Sequence, residues 1–187
     1  MYIHFFKPIF DFLVALIALI LLFPILLLVA FILSFIHQGN PVFTQTRIGQ
    51  NAQPFIIYKF KTITAKGITT AFLQSLRNYK IDELPQLLNV LKFEMSLVGP
   101  RPDIPGYYDQ LQHKYKPILD LKPGLTGHAS IAFANEEALL KEQVNPLVYN
   151  DEVIFPEKLK LNLAYRNKIS FYIDLQIIFK TLLLPFQ

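Results

Sequence analysis

Cysteine is absent from all 187 residues, which excludes a disulfide framework and any zinc site built on thiolates. Charge is sparse: Asp, Glu, Lys and Arg make up 17% of the chain, against 52% hydrophobic residues. That balance is greasy for a soluble domain, and a membrane segment accounts for it. The formal charge of +4 comes from Lys and Arg scattered along the chain, with no basic block, so no nucleic-acid footprint is present. A basic surface facing anionic lipid or phosphate fits the same numbers. His4, His37, His113 and His128 have no mutual ligand spacing and read as no metal site. The chain has no internal repeat and no low-complexity tail.

Phe12 to Ile36 is almost unbroken apolar sequence, interrupted by Pro24 and Ser34. As one straight helix it reaches ~37 Å, against a hydrocarbon core of ~30 Å. The run exceeds the apolar core of a signal peptide, and no small-x-small cleavage site follows it. Lys7 precedes it and Arg47, Lys59 and Lys61 follow it, so the distribution of cations picks no orientation. Pro24 removes one backbone hydrogen bond near the middle and favours a bend there. A kinked span and a helix bent so that both ends return to one face both satisfy these facts.

Behind this segment, Pro41 to Thr46 and Phe55 to Thr62 are β-prone runs separated by Arg47 to Pro54, which reads as a long turn, so a hairpin is expected. Phe55, Ile57, Lys59 and Lys61 share one face of the second run. Its two cations could contact a ligand or simply discourage edge pairing. Leu84, Leu87, Leu88 and Leu91 fall at i, i+3, i+4 and i+7, which predicts a short amphipathic helix over Glu83 to Lys92 with Pro85 in its first turn. Residues 99–106 and 122–127 read as loops, and Ile104–Leu119 and Asn135–Val144 as helices. Ile169–Phe186 reads as a helix against the core or a membrane interface.

Asp82 and Glu83 stand at the start of the short helix and diverge in direction, so one carboxylate can attack while the other holds a cation. The helix dipole there favours the ionised form. An N-cap Asp followed by a first-turn Glu is the structural alternative. Gly99-Pro100-Arg101-Pro102 presents Arg101 from a loop stiffened by Pro102 and Pro100, suited to bidentate phosphate recognition or to a plain surface turn. Lys122 to Gly127 adds two glycines and the Thr126 hydroxyl.

The segments Lys59-Phe60-Lys61-Thr62, Asp82-Glu83-Leu84-Pro85-Gln86, Met95 to Pro102 and Lys122 to Gly127, in this order behind one hydrophobic segment, resemble the small monotopic phosphoglycosyl transferases, also called bacterial sugar transferases. The resemblance covers nearly the whole chain. It implies a mostly helical α+β fold, with a re-entrant, Pro-kinked membrane helix over residues 1–38 and one small cytoplasmic catalytic domain over 39–187 that carries the hairpin and interface helices. It implies attack by Asp82 on the β-phosphate of a UDP-sugar, release of UMP, and transfer of the phosphosugar to undecaprenyl phosphate. By the same likeness Glu83 ligates Mg2+, Arg77 and Arg101 lie near the diphosphate, and Lys59 helps close the site. The implied place is the cytoplasmic face of the bacterial inner membrane, with the lipid bilayer as partner and a homodimer left open.

Three departures stand out. Many members carry Gly-Arg-Asn where this chain has Phe133-Ala134-Asn135, the stretch from Thr62 to Asp82 is short, and Phe93-Glu94 stands where Gly-Asp is usual. Ala134 motivates the competing class, a membrane-anchored protein that binds partners without catalysis.

Overall fold

A computed structural model describes residues 1–64 and 67–184. A π-helical turn at Tyr2–Phe6 leads into α1, Lys7–Ile36, which continues through Pro24 as one helical element. The helix from Tyr2 to Ile36 is long and apolar enough to cross a membrane. Most of its side chains face outward, among them Ile17, Leu21, Leu27 and Phe31. The buried exceptions are Lys7, Asp11, Ala15, Val29 and Leu33, at or near helical spacing, so one stripe faces the rest of the protein.

The expected hairpin is present: β1, Val42–Ile48, pairs antiparallel with β2, Pro54–Phe60, and Arg47 lies opposite Phe55 and Phe43 opposite Lys59. Arg47 and Ile48, expected in the turn, extend the first strand; the turn itself is Gly49 to Gln53, with Asn51 and Ala52 at positive φ. The helix expected over Glu83 to Lys92 divides in two. Residues Ile81–Gln86 wind as a 3-10 segment entered from Lys80 at φ 57, and only Leu87–Leu91 is α-helical, α3. The tighter winding rotates the apolar stripe, so Pro85, Leu87 and Val90 are buried while Leu88 is 45% exposed.

Residues 122–127 are not a plain loop. Gly124–Thr126 forms β4, parallel to β3, Ser96–Val98. Glycine permits this close pairing: a Cβ on Gly124 would collide with the Gly99 nitrogen, and one on Gly99 would collide with the Lys122 carbonyl oxygen. Ile104–Leu119 is not one helix either. It holds 3-10 segments at Tyr108–Gln110 and His113–Asp120, broken by Gly106 at φ 107 and carrying Pro117 inside. Of Asn135–Val144 only α5, Glu136–Lys141, is helical.

The remaining helices are α2 (Ala71–Asn78), α4 (His128–Ala132), α6 (Pro146–Tyr149), α7 (Phe155–Lys168) and α8 (Phe171–Leu183). The last covers most of the predicted terminal helix, whose final residues, 185 and 186, lie outside the described residues. The fold is therefore α+β and mostly helical, with an N-terminal apolar helix and two two-stranded sheets.

The main core joins Ala15 of α1, Ile57 of β2, Leu87 and Val90 of α3, Val98 of β3, Tyr165 of α7 and Ile177 of α8. Full burial of side chains of this size stabilises by roughly 1.5–3 kcal/mol each. A second cluster packs Val29 and Leu33 of α1 on Phe60, Leu73 and Leu76. Both ends of α1 are thereby held against the same unit. Phe93 adopts φ 60, a region that favours glycine. Its ring stacks on Phe12 of α1 at 5.5 Å, and Lys122 lies over it at 5.0 Å.

Candidate active site

Asn89 aligns the hairpin with the 3-10 segment. It is buried in α3, accepts from the Tyr58 N–H at 3.3 Å, and donates to the Ile56 carbonyl at 2.6 Å and to Glu94 at 2.7 Å. The next strand residue, Lys59, thereby reaches Glu83: its Nζ donates to Oε1 at 2.9 Å. Arg101, from the proline-bounded loop after β3, donates to both oxygens of Glu83, at 2.5 and 3.2 Å. The bidentate geometry expected of Arg101 is present, and its partner here is a carboxylate.

Burial by itself pushes the Glu83 carboxyl upward, but Arg101 and Lys59 outweigh it and hold the group well below the usual carboxylate range. Its neighbour goes the other way. Burial first, and the Glu83 charge second, raise Asp82 above its ordinary value, although Lys59, Lys80 and Arg77 pull it down. The dipole contribution expected at Asp82 is outweighed, because a six-residue 3-10 segment has little dipole to set against desolvation. Asp82 Oδ1 is buried and has no hydrogen-bond partner among the described residues.

Lys59, Arg77, Asp82, Glu83, Arg101, Pro102 and Thr126 all line one open groove of about 2280 Å³. Lys59, Glu83 and Arg101 interlock, with Asp82 beside them. Arg77 is paired instead with Glu137 of α5 at 2.6 Å. Thr126 makes no hydrogen bond to the acidic pair: its hydroxyl meets that of Thr181 on α8 at 2.6 Å.

Two groove residues were missed by the sequence reading. Arg47 Nε and Ser130 Oγ are, like Asp82 Oδ1, buried polar atoms with no partner among the described residues. Such atoms cost about 1–3 kcal/mol each when left unpaired, so three in one groove mark where a polar ligand is received. Arg47 was placed in the turn by the sequence; the observed register, which extends the first strand, sets it opposite Phe55 on the hairpin face of Lys59. Ser130 had no signal in the sequence. A groove holding an unpaired carboxylate oxygen, an adjacent carboxylate between two cations, and further arginines has the chemistry to bind a polyanion and to offer it an oxygen nucleophile.

Residues 2–187 match the family model described as bacterial sugar transferase. The chain belongs to that family. It is 35% identical over 152 residues to the uncharacterized sugar transferase EpsL of Bacillus subtilis (strain 168), covering 75% of this chain and 67% of that protein. It is 31% identical to the exopolysaccharide production protein ExoY of Sinorhizobium fredii, covering 94% and 83% of the two chains. A UDP-glucose:undecaprenyl-phosphate glucose-1-phosphate transferase of Klebsiella pneumoniae is 31% identical over 94% of this chain, but the match spans only 39% of that longer protein.

As a bacterial sugar transferase the chain is by class a phosphoglycosyl transferase. Ala134, the departure from the expected arginine, lies in the groove wall with Phe133 and Asn135. Lys158 of α7 brings a cation to the same wall, 5.9 Å from the Phe133 ring centre and 2.7 Å from Glu136. The donor set also bears on Mg2+. Among the described residues no three His, Asp or Glu side chains cluster as a metal cage. A Mg2+ held by one or two carboxylates and completed by substrate phosphates needs no cage, and the unpaired Asp82 oxygen beside Glu83 fits that kind of site.

Proposed function

We propose that this chain transfers a sugar 1-phosphate from a UDP-sugar to undecaprenyl phosphate, giving undecaprenyl-diphosphate-sugar and UMP, as the first membrane step of a glycoconjugate pathway. The observation that carries this reading is the buried, unpartnered Asp82 oxygen beside Glu83, Lys59 and Arg101, in a groove that also touches the membrane helix. Related proteins named as undecaprenyl-phosphate sugar phosphotransferases support the two substrates.

In the first step an Asp82 carboxylate oxygen attacks the β-phosphorus of the donor. The bond from that phosphorus to the bridging oxygen breaks, and UMP leaves with its electron pair. In the second step a phosphate oxygen of the acceptor attacks the same phosphorus, the bond to Asp82 breaks, and the carboxylate is regenerated. The raised pKa of Asp82 reflects a desolvated carboxylate, and a poorly solvated anion is a better nucleophile than a hydrated one.

Glu83, with Asp82 beside it, would hold Mg2+, whose charge offsets that developing on the phosphate oxygens. Arg101 and Lys59 then exchange Glu83 for the diphosphate, and Arg77 exchanges Glu137. All three cations are poised for this, because each is already paired with an acid at the groove surface. The stiff loop around Arg101 and Pro102 limits the conformational entropy lost on binding.

In this reading the chain is monotopic on the cytoplasmic face, with residues 1–38 as anchor and 39–187 as catalytic unit, and the packing of α1 supports the monotopic part. A helix of about 45 Å that left the domain to span the bilayer would carry one end away from it. Here Lys7 and Asp11 near one end bond to Asp174 and Ser96, while His37 just past the other end bonds the Lys61 carbonyl at 2.9 Å. Membrane-impermeant labelling of a residue near the N-terminus should fail from the periplasmic side and succeed in inverted vesicles. Labelling from the periplasmic side would replace the re-entrant helix with a span.

The activity is tested by incubating purified protein with Mg2+, undecaprenyl phosphate and a panel of UDP-sugars. One or more donors should give UMP and a lipid-linked product in equal amounts. No UMP from any of them would defeat the proposal.

A further inference from the structure

The groove has two chemically different rims. One is charged: Arg77 and Glu137 reach across from α2 and α5, and Lys141, Glu136 and Lys158 lie beside them. The other wall is apolar and begins next to the acidic pair. Leu84 follows Glu83 directly, and Leu97, Leu125, Val14 and Ile178 also line the groove while packing into the same core cluster. These side chains come from the 3-10 segment, β3, β4, α1 and α8 and share one core cluster, so the apolar lining links the acidic pair to the N-terminal helix.

Leu182, 65% exposed, forms its lip on α8 and continues into the outward-facing Phe179 and Leu183. The two hydroxyls along this wall close on each other. Thr126 and Thr181 share a 2.6 Å hydrogen bond, and Thr181 also donates to the Ile177 carbonyl at 2.8 Å.

We infer that this trough between α1 and α8 holds the first isoprene units of the polyprenyl phosphate acceptor, which enters through the apolar rim while the nucleotide sugar enters through the charged one. The inference rests on the acceptor assignment made above. A chain attached to a phosphate at Asp82 must leave for the bilayer along some surface. Crossing the charged rim would strip water from Arg77, Glu137 and Lys141 with no compensating contact. The apolar wall has no such cost, and isoprene units laid along it bury hydrocarbon on both sides. It also joins, through Val14, a helix whose other face is already apolar and exposed.

The chain contains no tryptophan, so a single introduced Trp is both a steric probe and a clean fluorophore. Ile178→Trp and, at the exposed lip, Leu182→Trp are compared with Leu27→Trp on the outward face of α1, all as full-length protein in nanodiscs. The burst of UMP formed with a UDP-sugar and no acceptor counts the donor-competent molecules in each protein, and acceptor kinetics are expressed per burst site. KM for undecaprenyl phosphate should rise about tenfold in Ile178→Trp, the usual scale for overfilling a packed apolar site, and stay at the wild-type value in Leu27→Trp.

Indole emission from the Leu182→Trp protein should shift on addition of undecaprenyl phosphate but not of phosphatidic acid at equal concentration. Normal bursts with unchanged acceptor KM in Ile178→Trp and Leu182→Trp would overturn the trough while leaving the activity intact. An equal emission shift with phosphatidic acid would also overturn it, as a general lipid surface. Absence of any burst in the wild type is a different failure, that of the proposed activity.

Discussion

Two charged clusters in this molecule are built from similar parts and differ in how completely they are satisfied. In the first, Asp174 of α8 accepts from Tyr2 and Lys7 on one oxygen, both at 2.6 Å, and from Tyr165 on the other at 2.5 Å, while Asp11 accepts from Ser96 at 2.5 Å. Lys7, Asp11, Ser96 and Asp174 are all buried. No carboxylate oxygen of Asp174 is left over. In the second, Glu83 is equally well paired, but it opens on a groove, and Asp82 beside it has a buried oxygen with no partner among the described residues. The first cluster, with both Asp174 oxygens bonded, ties the apolar N-terminal helix to α8 and β3, although Lys7, Asp11 and Ser96 also border a small cavity of about 170 Å³. The second leaves a carboxylate oxygen unpaired in a much larger open groove, which is the arrangement the proposed chemistry uses.

That contrast can be broken most severely at Asp82. Asp82→Asn should lower turnover by about four orders of magnitude or more, the scale for loss of a covalent nucleophile. Thermal stability should be unchanged or higher: the raised pKa means the fold disfavours the charged form, and the amide removes that cost. Asp174→Ala reverses the pattern. It leaves the buried Lys7 and Tyr165 and the half-buried Tyr2 without the Asp174 acceptor, and should cost about 3–5 kcal/mol in detergent unfolding, with activity per folded molecule retained. An Asp174→Ala protein as stable as wild type would erase the distinction between the clusters.

Glu83 sharpens the comparison through pH. Its folded pKa lies below the unfolded value near 4.5, so its contribution to stability is fully present above that pH and lost as pH falls toward the folded value. The stability gap between wild type and Glu83→Gln should therefore be larger at pH 7 than at pH 4. A gap independent of pH contradicts the ion-paired assignment. The smallest effect is expected at Glu137, whose pair with Arg77 is partly exposed. Glu137→Ala should change stability by less than about 1 kcal/mol while lowering donor KM, since Arg77 is then released to the diphosphate.

How much of this was legible in the sequence follows from how local each feature is. The hairpin and the Lys59 face came from alternation in the strand, and the Asp82-Glu83 and Arg101 motifs lie in short contiguous segments. The winding at Ile81–Gln86 was not legible, because Leu84, Leu87, Leu88 and Leu91 also fit an α-helix and only the left-handed Lys80 and Pro85 tighten it. Leu159, Leu161 and Leu163 alternate like a strand, yet α7 is a helix that buries Leu159, Asn162 and Tyr165. The pair Lys7–Asp174 joins residues 167 apart in the chain, and no spacing pattern announces it. β4 escaped because its two-glycine segment looks like a turn until Gly99 is brought against Gly124.

Intact-mass spectrometry of protein quenched with UDP-sugar but without polyprenyl phosphate tests the central claim most directly. The wild type should gain the mass of one phosphosugar, located at Asp82 and discharged when undecaprenyl phosphate is added, and Asp82→Asn should gain none. Full turnover by a wild-type enzyme that never carries the added mass, or an adduct that survives in Asp82→Asn, would contradict it.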